Sequence, residues 1–150
     1  METINLKDSE NWATYNIQFP LVKVKMKGKI SSQEDFDNFT NEWLEVYNSF
    51  QKFTFIFDTT EVGFVSSKYA FKMGDFIRDL KRNRDNSFLE RSIILTKSFW
   101  VRTLLKLIFF LESPVAPVYI VNVEKNIDID KLITNIKIGN PIHKSISFYK

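Results

Sequence analysis

Few side chains in this sequence are equipped for chemistry. It contains one histidine, His143, and no cysteine. That excludes a cysteine nucleophile, a thiolate metal site, an iron–sulfur cluster, a disulfide and a multi-histidine metal site. A serine triad would have to use His143, which sits in the tail beside Pro141 and Lys144. A lone histidine there is more often a surface residue than a base. The four glycines, at 28, 63, 74 and 139, form no phosphate-binding loop of either common type. No Gly-x-Ser-x-Gly elbow occurs. The carboxylate pairs Asp35/Asp37 and Asp128/Asp130 are two residues apart, and on a helix such pairs do not face each other. The expectation is a protein that is not an enzyme and that needs no cofactor and no metal.

Three patterns remain, and each suits binding. The first is a polar rim made of Lys29, Asp58, Thr59, Thr96, Lys97 and Asn122. These residues fall at the expected carboxyl ends of strands, where ligands of open α/β sheets gather. They read either as a crevice for an anion or headgroup, or as ordinary polar turns whose hydroxyls cap helices. The second is a comb of Lys23, Lys25 and Lys27, continued by Lys29. On a strand these ammonium groups project to one side, about 6–7 Å apart. They would attract an anionic surface or an acidic partner, or simply blunt a sheet edge.

The third pattern is Phe99–Leu111, FWVRTLLKLIFFL, interrupted only by Arg102, Thr103 and Lys106. A surface helix usually has a wide polar face, and this one does not. At roughly 20 Å it is too short to span a bilayer. Either its own domain covers it, or it leaves apolar surface for a second copy, a partner, a membrane or an acyl chain. Trp100, Leu104, Phe109 and Phe110 are the candidates for an apolar interface or ligand gate, aromatics being the strongest anchors.

The elements that must position these groups follow from periodicity. Thr3–Lys7 reads as a short first strand. Ile17–Lys29 reads as a second, with Val22, Val24 and Met26 alternating against lysines. Ser31 is the expected N-cap of a helix to about Ser49, with Glu34 completing a capping box. Phe36, Phe39, Trp43, Val46, Tyr47 and Phe50 recur along it at helical spacing. Phe53–Phe57 reads as a central strand ending in Asp58-Thr59-Thr60. Ser66 or Ser67 caps a helix whose inner face is Ala70, Met73, Phe76, Ile77 and Leu80, and Asp85-Asn86-Ser87 ends it. A buried strand at Ser92–Thr96, the apolar helix capped by Ser98, a strand at Val118–Val123 and a helix at Asp128–Ile136 complete the series. Ile142–Tyr149 alternates weakly and suits an extra edge strand. The expected fold class is α/β: a mostly parallel central sheet of four to five strands with an antiparallel edge and helices on its faces.

Length and charge frame this reading. At 150 residues the chain makes one domain, 1–150, large enough to bury a core unaided. A net charge of +3 lacks the clustered excess of a nucleic-acid binder, so no nucleic acid is expected. Met1-Glu2-Thr3 opens without a basic or apolar leader. With the lack of cysteine, this suits a cytoplasmic protein able to associate with a membrane.

Three stretches carry a resemblance to the SpoIIAA-like fold shared by STAS domains and CRAL-TRIO lipid-binding domains. Val24–Phe36 (VKMKGKISSQEDF) resembles the strand and the Gly-x-[Ile/Leu]-[Ser/Thr] helix start of that group. Phe55–Ser67 (FIFDTTEVGFVSS) resembles the segment of anti-sigma-factor antagonists that leads into their second helix. Leu89–Leu111 is similar to the strand–helix segment of both SpoIIAA-like and CRAL-TRIO proteins. The resemblance spans about residues 20–135. It implies a non-enzymatic regulatory or membrane-surface module that works through protein partners or self-association. Its antagonist branch implies a phosphoserine switch at Ser67, with Ser66 beside it. There Ser66 stands in place of the usual Asp, and Lys68-Tyr69 in place of Ser-Gly. The CRAL-TRIO branch implies a carrier of a lipid or apolar ligand, with Phe99–Leu111 in the place of the mobile gate.

Overall fold

The computed structural model of the protein describes residues 12–83, 88–123, 130–131, 134–135 and 146–149. The expected first strand at Thr3–Lys7, the break at Asp85-Asn86-Ser87 and His143 lie outside these residues.

A six-stranded sheet forms the frame, its strands ordered as in the sequence. β1 (Ala13–Gln18) and β2 (Leu21–Gly28) are an antiparallel hairpin. β2, β3 (Phe53–Val62), β4 (Leu89–Thr96) and β5 (Val118–Asn122) are parallel. β6 (Ile146–Tyr149) returns antiparallel to β5. The α/β class and the mostly parallel sheet are as expected, with an antiparallel strand on each edge. Three helices make the crossovers: α1 (Gln33–Val46, extended by a 3₁₀ turn at Tyr47–Ser49), α2 (Lys68–Asn83) and α3 (Phe99–Leu111). Asp130–Lys131 and Thr134–Asn135 are also helical, and the Thr134 hydroxyl donates to the Asp130 carbonyl at 2.9 Å. The rest of the expected Asp128–Ile136 helix lies outside the described residues.

Each parallel strand pairs with the next in sequence. Crossovers of one hand then stack the three helices on the same face. The core confirms this. Val22, Val24, Phe53, Phe55, Phe57, Ile94, Val118 and Ile120 meet Phe39 and Trp43 of α1, Leu80 of α2, and Leu105 and Phe109 of α3. On the opposite face Ile56, Ile93, Leu95 and Val121 are also buried. This explains the near-continuous apolar runs of β3 and β4, which are buried on both sides.

Several boundaries differ from the sequence reading. The single strand expected over Ile17–Lys29 is broken by the turn at Phe19–Pro20, whose peptide bond is cis. Proline cannot continue a paired strand, so the run folds back on itself. The α1 N-cap is Ser32 and not Ser31: its Oγ accepts from the Asp35 N–H at 3.2 Å. Asp35, in place of Glu34, closes the box by accepting from the Ser31 N–H at 2.9 Å. Phe50 is no core residue. It follows the 3₁₀ turn with φ of 55° and is 74% exposed.

Candidate functional site

The expected polar rim does not assemble into one crevice. β3 runs on to Val62, so Asp58 is a mid-strand residue paired with Lys25 and Leu95. It lies on the sheet face away from the helices, and its Oδ1 accepts from the Thr60 N–H at 3.0 Å and the Thr60 hydroxyl at 2.6 Å. Thr59 is buried on the helix face, where its hydroxyl donates to the Leu95 carbonyl at 2.7 Å. Thr96 is fully buried and donates to the Val121 carbonyl at 3.1 Å. The Asn122 Oδ1 accepts from Arg102 at 3.1 Å. Of the six expected rim residues, Lys29 and Lys97 are exposed cations. Alternation could not separate strand end from mid-strand here, because Thr59 and Thr60 are good strand residues.

The lysine comb is real as far as β2 reaches. Lys23, Lys25 and Lys27 are exposed on the face opposite the helices. Lys29 is not part of it, because Gly28 turns the chain with φ of 67°. Lys25 is paired with Glu61 at 2.7 Å, which raises its pKa through that hydrogen bond and charge, so the comb is partly neutralised.

Ser66 and Ser67 precede α2. The Ser66 Oγ accepts from the Lys68 N–H at 3.4 Å, and Ser67 is exposed.

α3 divides its apolar surface. Val101, Leu104 and Ile108 form the buried stripe, and Phe109 packs inward with its ring 5.3 Å from that of Tyr149. Leu104 is buried and Phe109 half-buried, both turned toward the core. Phe99 (75%) and Phe110 (86%) are the most exposed, followed by Leu111. Trp100 is half-covered. Its ring stacks on Phe64 at 6.0 Å, and its indole N–H donates to the Val65 carbonyl at 2.7 Å. That bond ties the loop before α2 to the first turn of α3.

Beneath this helix lies an apolar cavity of about 150 Å³. Its walls come from every layer. Met26, Phe57 and Ile94 supply the sheet side, Phe36, Phe39 and Trp43 the α1 side. Ala70, Met73 and Ile77 line it from α2, and Leu104, Leu105, Ile108 and Phe109 from α3. Val65 and Val115 close it from loops. No charged side chain is among its described lining residues. Trp12, at the entry to β1, is another wall, held edge-on against Phe39 with ring centres 5.6 Å apart. Among the described residues, its Nε1 is the buried side-chain nitrogen that finds no hydrogen-bond partner. Such an orphaned donor costs about 1–3 kcal/mol.

Sequence reading named Leu104 and Phe109, and held an apolar-ligand cavity as an alternative, but it did not single out Trp12 or the other walls. A void is set by the sum of side-chain sizes from six or more segments, and no local pattern records it. Among the described residues no helix is long and apolar enough to cross a membrane.

No known protein family matches this sequence, and no curated protein matches it. Among solved structures the chain is similar in fold to an uncharacterised protein of the DUF3478 family, with a SpoIIAA-like fold, from Shewanella loihica PV-4. The identity is 14% and the TM-score 0.48; the match covers 75% of this chain and 86% of that one.

Proposed function

We propose that this protein is a non-catalytic binding module that takes a small apolar ligand into the cavity beneath α3. The single observation behind this reading is the void itself. Natural cores are packed as densely as organic crystals and rarely hold gaps much larger than a water molecule. An apolar pocket of about 150 Å³ leaves its lining side chains short of packing partners. Apolar cavities of that size stay dry and accept benzene-sized molecules. A ligand would recover the lost contacts, and its binding would favour the folded state by mass action.

Thermal unfolding with and without α-methylstyrene, a compact apolar probe, tests this. The wild-type midpoint rises with probe concentration. Ala70→Phe, which fills the cavity from α2, abolishes the rise. Ala116→Ile fills it from the loop before β5 and serves if the first variant folds poorly. A wild-type midpoint indifferent to the probe contradicts the proposal.

A second reading rests on the exposed aromatics. Phe64, Phe99 and Trp100 lie at the carboxyl end of the sheet, with the exposed cations Lys29 and Lys97 on neighbouring loops and Lys68 at the start of α2. Aromatic rings ringed by lysines suit an anionic membrane surface, each lysine adding about 1 kcal/mol there. In this reading the module works at a membrane, and the rim of the cavity faces the lipid.

A further inference from the structure

We infer that the Ser92 hydroxyl is the polar anchor of the cavity, so that the ligand is a compact, neutral, apolar molecule whose one oxygen acceptor meets β4. The inference rests on the cavity being a ligand site, as proposed above. It starts from the alternation along β4. Ile93 and Leu95 are buried on the sheet face away from the helices, while Ile94 belongs to the core beneath them. Successive strand residues point to opposite faces, so Ser92 shares the helix face with Ile94. Its partners on the adjacent strands, Phe55 and Val118, belong to the same core. Ser92 is 5% exposed and is a wall of the cavity. Its backbone is fixed there, with its N–H donating to the Pro117 carbonyl at 2.9 Å.

The buried hydroxyls of this molecule are otherwise in use. Thr40 donates to the Phe36 carbonyl at 3.2 Å, Thr59 to that of Leu95 at 2.7 Å and Thr96 to that of Val121 at 3.1 Å. The Thr54 hydroxyl accepts from Arg91 at 3.1 Å. Ser92 is the exception: among the described residues its Oγ has no hydrogen-bond partner, and it is not sealed off as the Trp12 Nε1 is. Buried polar groups normally find partners, and an unmet one costs free energy that a ligand can recover. A serine hydroxyl carries one proton to give. A ketone, aldehyde, ester or ether accepts that proton and brings no donor of its own, whereas an alcohol brings a second one. With no charged side chain among the described lining residues, a carboxylate or ammonium would enter without a counter-charge, which an apolar cavity penalises heavily.

The test uses acetophenone and its near-isostere α-methylstyrene, which replaces the carbonyl oxygen by a methylene group. Binding of each to the full chain is measured by calorimetry. The infrared carbonyl band of bound acetophenone is recorded beside that of acetophenone in hexane. In the wild type the band is expected below its hexane position, as a hydrogen-bonded carbonyl requires. In Ser92→Ala it returns to that position. Acetophenone affinity then falls about tenfold, while α-methylstyrene affinity stays within about twofold. A wild-type band at the hexane position overturns the inference, and this measurement needs no variant to fold. A band lowered equally in Ser92→Ala also overturns it, because another group is then the donor. Binding of α-methylstyrene without acetophenone overturns it and leaves the cavity reading intact. If neither probe binds, the cavity reading fails and the inference with it.

Discussion

Glu112, just past α3, is held by two cations of α2. Lys81 Nζ lies 2.5 Å from its carboxylate and Arg78 Nε 3.4 Å away. Lys81 also donates to the Ser113 carbonyl and hydroxyl at 3.0 and 2.9 Å. The hydrogen bond from Lys81, with the charges of Lys81 and Arg78, holds the Glu112 carboxyl below its ordinary pKa against a smaller opposing effect of burial. A carboxyl depressed in the folded state stabilises it at pH values above the unfolded pKa. That contribution is lost as pH falls through the folded pKa. Glu112→Gln is therefore expected to lower the urea midpoint in neutral buffer. In buffer acid enough to protonate carboxylates, the variant and the wild type converge. A difference that stays the same at both pH values contradicts this account. Residue-level chemistry was only partly legible in the sequence. Ser98 caps α3 as read, its Oγ accepting from the Val101 N–H at 3.3 Å. Trp12 carried no signal, because nothing local distinguishes an orphaned indole from a paired one.

At the scale of elements, α3 is the piece whose sequence departed from an ordinary surface helix. Its apolar surplus has two destinations. Val101, Leu104 and Ile108 face the core and the cavity, and Phe99 and Phe110 face outward. The natural probe of the membrane reading is Phe99 with Phe64. Phe64→Ser with Phe99→Ser removes exposed rings at the carboxyl end of the sheet without touching the core, so the unfolding midpoint should stay nearly unchanged. Sedimentation with phosphatidylserine vesicles should fall several-fold, since aromatic insertion and lysine attraction act together. Undiminished sedimentation of the double variant counts against a membrane contact at the carboxyl end of the sheet. Helix and strand identities were legible because the 3.6 and 2.0 periods dominate burial. Strand ends were not, as β3 illustrates: the β-branched Thr59, Thr60 and Val62 continue it where a polar turn was expected. The hairpin at Phe19–Pro20 did leave a trace, since Pro20 stands inside a run read as one strand.

At the scale of the whole molecule, the sequential strand order places three helices on one face, and the cavity occupies the space where they converge. Fifteen phenylalanines crowd this chain. Phe53, Phe55 and Phe57 form a continuous aromatic seam with Trp43 on the sheet. Large rigid rings fix the spacing between sheet and helices, and smaller side chains such as Ala70 and Val115 leave part of that space unfilled. The fold class was therefore open to sequence reasoning, while the cavity required knowing which large and small residues meet. The most direct test of the central claim is diffraction from crystals of the wild-type chain held under xenon. A xenon atom is expected between Ile77 and Leu104, beneath α3. A core closed over that space, with no xenon bound, would contradict it.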